Sequence, residues 1–401
     1  MTLLSDGAAM LPDLVALRRR LHAEPELGLD LPRTQALVLE ALAGLDLEIT
    51  LGTATTSVVA VLRGGRPGPT VLLRGDMDAL PIEEKTGLPF ASTNGNMHAC
   101  GHDLHVAGLV GAARLLHARR DELAGDVLFM FQPGEEGQAG ARVMIEEGLL
   151  DASGTLPIAA YGIHVVPGPR GVFATRPGTL MAGANHITIQ VHGEGGHGSE
   201  PERAHDPVPA VAEIVTALNV MVTRRFSVFD PVVVSVTKLS AGTAFNIIPD
   251  TASLGATVRT LSRESLAVLQ TEIPRLASSI AEAHGCRAEV DFEVVYPVTV
   301  NDGVRTAETV ERLGELFGPE RVTQLPDPLM GSEDFSFVLE RVPGTFVFLS
   351  SSPGGVDHTT AAANHSPRVL FDDGLLADQA AALAHLAVRA LAPEATAGAG
   401  S

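Results

Sequence analysis

The sequence predicts an α/β chain whose mostly parallel sheet is interrupted by a smaller, inserted α+β domain. Three observations predict it. At 401 residues the chain exceeds the size at which one core usually stops growing. Continuous apolar runs at 70–73, 126–131 and 158–163 alternate with helical patterns, as in strands covered on both faces. From residue 184 the texture changes to strands of alternating polarity in the order β-α-β-β-α-β, that of a split βαβ or ferredoxin-like unit. The expected division is an outer domain of 1–183 and 296–401 with an insertion of 184–295.

In chain order, Leu14, Leu17 and Leu21, then Ala36, Leu37, Leu39 and Leu42, recur at helical spacing and predict helices over 12–24 and 33–44. The run at 70–73 leads into Asp76 and Asp78, that at 126–131 into Glu135 and Glu136, and that at 158–163 into His164. Between the first two, Val106, Leu109, Val110, Ala113 and Leu116 mark a helix that starts directly after the polar turn 97–105. Within the insertion, 187–191, 232–239, 252–261 and 288–296 read as strands, and 207–222 and 265–283 as helices. Strands left at the edge of such a unit invite pairing between two copies. Beyond it, 330–335 is expected to open a helix near Ser332 or Glu333, 345–349 is a buried strand, and 374–391 is the closing helix.

Composition narrows the partners. A formal charge of -20 repels nucleic acid and anionic membrane surfaces, since both are polyanions. Two cysteines, Cys100 and Cys286, allow no disulfide framework, which fits a reducing, cytoplasmic setting. The first ten residues have no basic stretch followed by an apolar core, and no window approaches a membrane span.

The stretch 97–105, Met-His-Ala-Cys-Gly-His-Asp-Leu-His, puts a thiol and several imidazoles in one short turn. Thiolate and neutral imidazole are the donors that borderline-soft divalent ions favour. With Glu136, His164 and His365, the residues Cys100 and His102 read as ligands of one centre, Cys100 bridging two ions. Each ion then has three protein donors and an open position, the pattern of a catalytic site. Thiolate and imidazole suit zinc, while the carboxylate and the open position also admit manganese, cobalt or nickel. Glu135, left over beside the ligand Glu136, can take a proton from water and pass it to a leaving amine. His98 and His105 read as supporting residues, and Cys286 as an inert filler.

Taken as one ordered set, residues 74–81, 98–105, 132–137, 195–198, 246–249 and 331–335 resemble metallopeptidase family 20, and within it the amidohydrolase subgroup of hippurate hydrolases, N-acyl-amino-acid amidohydrolases, N-acetyl-diaminopimelate deacetylases and auxin-conjugate hydrolases. The resemblance runs from about Leu14 to about Leu391. It implies a dinuclear-metal catalytic domain with the insertion as a lid and dimerisation domain. The bridging residue falls on Cys100, the catalytic base on Glu135, and the other ligands on Glu136, His164 and His365. The family's His-x-Asp signature is here Asp76-Met77-Asp78, so His102 stands in for the usual first ligand and Asp78 keeps the position that orients a ligand imidazole. His197 matches a histidine that reaches the substrate carbonyl across a dimer, and Asn246 and Arg259 match positions that contact the substrate.

The implied activity is removal of an acyl group from a small N-acyl amino acid by a homodimer holding two divalent ions per chain. Two alternatives stand beside it: a dipeptidase or carboxypeptidase using the same centre, and a binding protein that retains the fold without catalysis. The intact donor set and Glu135 argue against the last.

Overall fold

A computed structural model describes residues 2–392. The chain divides into two compact units: one of residues up to Gly178 with 300–327 and from Phe337 on, the other of 179–299 with 328–336.

The first unit is built on an eight-stranded sheet in the order Glu48–Leu51, Val58–Leu62, Ala124–Gln132, Arg66–Asp76, Ala159–Val166, Gly344–Ser350, Phe173–Thr175 and Val322–Gln324. The four strands from Ala124–Gln132 to Gly344–Ser350 are mutually parallel, and antiparallel pairings occur only outside that centre. All seven residues of Gly344–Ser350, and the last seven of Arg66–Asp76, are buried, which is why these stretches are continuous apolar runs. Parallel strands point the same way, so Asp76, Gln132 and the His164 region share one sheet end, where open α/β sheets place their sites. The helices Leu3–Ala23, His102–His117 and Leu376–Leu391 pack on one another through Leu14, Leu21, Val110, Ala113, Leu383 and Ala387. The first helix begins well before residue 12, because the Thr2 and Ser5 side chains form a capping box and the fold tolerates Pro12 inside the helix.

One buried polar group fixes the start of the His102–His117 helix. Arg18 Nε donates to Asp103 Oδ2 at 2.7 Å, and His22 Nδ1 lies 2.7 Å from the same oxygen. Burial alone would raise the Asp103 carboxyl, but the Arg18 guanidinium and His22 outweigh it and hold the group far below the carboxylate range.

The second unit is a four-stranded antiparallel sheet in the order Val233–Ala241, Thr251–Thr260, Gly183–His192 and Arg287–Tyr296. Alternation is strict in Thr251–Thr260, where Ala252, Leu254, Ala256, Val258 and Thr260 are buried. The four apolar ones share a core with the helices Pro207–Arg225, capped by Asp206, and Arg263–Ala283, capped by Ser262. The stretch 328–336, outside the insertion in the sequence-based division, clusters with this unit: Leu329 bridges Met181, and Arg259 Nη1 donates to Ser332 Oγ at 3.4 Å. No helix opens at 332 or 333. The Glu333 carboxylate accepts the Phe335 N–H instead, and a four-residue helix starts at Ser336. Among the described residues no helix is long and apolar enough to cross a membrane.

Candidate metal centre

All five predicted ligands lie in the first unit and converge. Cys100 and His102 flank Gly101, whose φ of +80° permits the sharp turn into the helix; a Cβ there would meet Val165 Cγ2 at 2.3 Å. Cys100 Sγ lies 3.4 Å from His164 Nε2 and 3.3 Å from His365 Nε2. Two donor sets share that sulfur, Cys100 with His102 and His164, and Cys100 with Glu136 and His365, each within 4.8 Å. His365 is one of two non-glycine residues with positive φ (+68°) among the described residues, a strain of the kind that concentrates at functional sites.

Backbone carbonyls set the tautomers. His102 Nδ1–H donates to the Asp78 carbonyl and His164 Nδ1–H to the Val165 carbonyl, both at 2.8 Å. Each arrangement leaves Nε2 as the lone-pair atom turned toward the centre. His102 Nε2 and Glu136 Oε1 are buried 4.0 Å apart with no well-aligned hydrogen bond, their nearest polar contacts including Asp76 Oδ2 at 3.3 Å and His365 Nε2 at 3.2 Å, as donors to a cation would be. The residues present therefore fit divalent ions.

Asp78 touches the His102 imidazole, as the motif implied, and has a second contact that the sequence did not show. The shorter contact to the imidazole N–H is the Asp78 backbone carbonyl at 2.8 Å, with the nearer carboxylate oxygen 3.5 Å from His102 Nδ1. The carboxylate caps the loop bearing the two glutamates: Glu135 N–H donates to Oδ1 at 3.0 Å and Glu136 N–H to Oδ2 at 2.9 Å. The sequence also gave no sign of Asn364, whose amide donates to the Val165 carbonyl at 3.2 Å and lies 3.5 Å from Cys100 Sγ.

The electrostatics favour a thiolate. Burial would raise the Cys100 thiol, but the adjoining imidazoles of His164, His102 and His365 outweigh it and hold the thiol well below its ordinary value. Burial raises the Glu136 carboxyl. Hydrogen bonds to Cys100 first, then to Glu136, push His365 up to about 10. An ion bound there must displace that proton, so ion uptake is expected to release acid and to tighten with rising pH, by up to about tenfold per unit for each proton displaced, levelling near pH 10. Calorimetric titration in buffers of different ionisation enthalpy measures the protons released; a pH-independent affinity would contradict the assignment.

The remaining candidates lie in the second unit. His197 and Asn246 adjoin one another: Ile247 pairs with His197 in a two-stranded ladder, and Gly198 N–H donates to the Asn246 carbonyl. His197 is exposed, and its Nδ1 accepts the Ser199 N–H at 3.2 Å. Arg259 is half-buried.

The family model for peptidase family M20/M25/M40 matches residues 72–389. The chain belongs to that family. It is a metal-dependent hydrolase of amide bonds. Among its M20 relatives, thermostable carboxypeptidase 1 of Saccharolobus solfataricus is 40% identical, the match covering 94% of this chain and 95% of that protein. N-acetylcysteine deacetylase of Bacillus subtilis is 37% identical over 94% of this chain and 96% of its own length. The crystal structure of the YXEP protein of Bacillus subtilis, described as a dinuclear metal binding peptidase from the M20 family, superposes with a TM-score of 0.82 at 34% identity, covering 96% of this chain and 99% of that one.

Proposed function

We propose that the chain hydrolyses the amide bond of a small N-acyl amino acid at a centre of two divalent ions, releasing a carboxylic acid and a free amino acid. The observation that carries this reading is the position of Cys100 Sγ, 3.4 Å from His164 and 3.3 Å from His365, so that one thiolate serves two donor sets. His102 and His164 would hold one ion with Cys100, and Glu136 and His365 the other; zinc or manganese suits these donors, with cobalt or nickel as alternatives. Two such ions acidify water toward neutrality and polarise the scissile carbonyl.

The chain's own groups do the rest. Glu135, buried and held by Asp78, accepts the proton of the attacking water and delivers it to the departing amine. A backbone N–H can only donate, so the Ser199 contact puts the neutral His197 proton on Nε2, ready to donate to the substrate carbonyl oxygen. Arg259, with no carboxylate at ion-pair distance among the described residues, is the proposed partner of the substrate carboxylate, and Asn246, which adjoins His197, is a proposed neutral donor to the substrate.

N-acyl-amino-acid hydrolysis and carboxypeptidase cleavage release the same kind of product, an amino acid with a free α-carboxylate, and the carboxypeptidase relative at 40% identity keeps the second reading alive. The test is a panel of N-acetyl and N-benzoyl amino acids, their α-amides, and N-blocked dipeptides. The free acids should be hydrolysed, and amidation should raise KM strongly and lower kcat, because orientation is lost with affinity. Equal rates on acid and amide would remove the carboxylate from the account, and faster cleavage of blocked dipeptides would favour the carboxypeptidase.

We also propose that the protein works as a cytoplasmic homodimer through the second unit. Its edge strand Val233–Ala241 exposes Val233 and Leu239. If His197 acts across the dimer, mixing His197→Ala and Glu135→Gln chains should restore part of the activity that each lacks.

A further inference from the structure

We infer that His105 is a positioning residue for the ligand His164, working as a strut between Asp76 and the backbone of Val165. The inference rests on the ligand set proposed above. Asp76, His102 and His105 are close enough together to hold an ion, yet His105 has no lone pair to give. Its Nε2 accepts the Val165 N–H at 2.8 Å, and since an amide can only donate, that lone pair is spent. The ring proton is therefore on Nδ1, 2.5 Å from Asp76 Oδ1. The ring is fully buried, and burial, the largest influence, lowers its pKa to about 4 against the pull of Asp76, in keeping with a neutral ring donating on one side and accepting on the other.

Both ends of the strut are anchored. Arg74 Nη1 is 2.8 Å from Asp76 Oδ2, and Arg74 Nε donates to Gln132 Oε1 at 2.9 Å, which ties together the ends of two central strands. At the other end Val165 follows His164, and the Val165 carbonyl is the acceptor that fixes the His164 tautomer. His105 thus holds the peptide on which the orientation of His164 depends. Outer hydrogen bonds of this kind commonly change metal affinity by about 10–100-fold.

The test measures ion retention, not turnover. Zinc-loaded protein is titrated with EDTA, and the concentration that removes half the zinc is compared for wild type, His105→Leu, His105→Asn and His105→Gln, with thermal unfolding of each. His105→Leu should release zinc at an EDTA concentration about 10–100-fold lower. His105→Asn, polar but too short to span both partners, should do the same and serves if the leucine variant does not fold. His105→Gln, whose amide can accept from Val165 and donate to Asp76, should recover most of the retention. Leu109→Ala, a buried change one turn along the same helix, should lower the unfolding temperature without altering retention. Wild-type retention in both His105→Leu and His105→Asn, or equal loss in Leu109→Ala, would overturn the inference while leaving the centre intact. Wild-type protein that binds no zinc would overturn the centre, and the strut's purpose with it.

Discussion

Glu135→Gln is expected to keep its full complement of metal and lose about 10²–10⁴-fold in kcat, the range that removal of a general base typically costs. The amide has the shape of the carboxylate and leaves the backbone N–H that donates to Asp78 in place, so the loop and the neighbouring ligand Glu136 should not move. What it cannot do is accept the proton of water. KM should change little, because the lost interaction belongs to the proton transfer and not to substrate binding. Steady-state kinetics with metal analysis of the same preparation separates the two. Near wild-type turnover would move the base role to another group.

The second large effect is expected at the sulfur. Cys100→Ala removes the one donor common to both sets, so at least one ion should be lost and activity with it. The loss compounds: without the bridging negative charge, two cations held by the remaining residues repel one another at close range. Cys100→Asp, which restores a short anionic donor, should recover part of the metal and part of the rate. Normal turnover with two ions in the alanine variant would exclude the shared position.

The contrast between these residues and the others explains what could be read from the sequence. The convergence of the five proposed ligands was legible for different reasons: Glu136 and His164 follow the long apolar runs that buried parallel strands leave, Cys100 and His102 stand out as a thiol and an imidazole in one polar turn before a helix, and His365 matched a family position. The antiparallel edge strand Glu48–Leu51 was not legible, since all four of its residues are exposed and it has no apolar run to show. The start of the first helix was hidden because Pro12 reads as a boundary, while the Thr2 cap that sets the true start lies well upstream of it. Asp78 is the more instructive case. Its position in the motif pointed to the imidazole, but a sequence does not tell whether a carboxylate or the carbonyl of the same residue is the acceptor, and here the carbonyl makes the shorter contact to His102 while the carboxylate secures the glutamate loop. Asn364 and Ser199 left no sequence signal because their contacts depend on loop geometry alone.

The central claim is that one thiolate joins two ions. Its most direct test is elemental analysis of the wild-type chain, purified without chelator and equilibrated with excess zinc or manganese before free ion is removed. The account predicts two ions per chain, both lost together as chelator is raised, because each donor set depends on Cys100. A single ion per chain, or two ions lost independently, would contradict it.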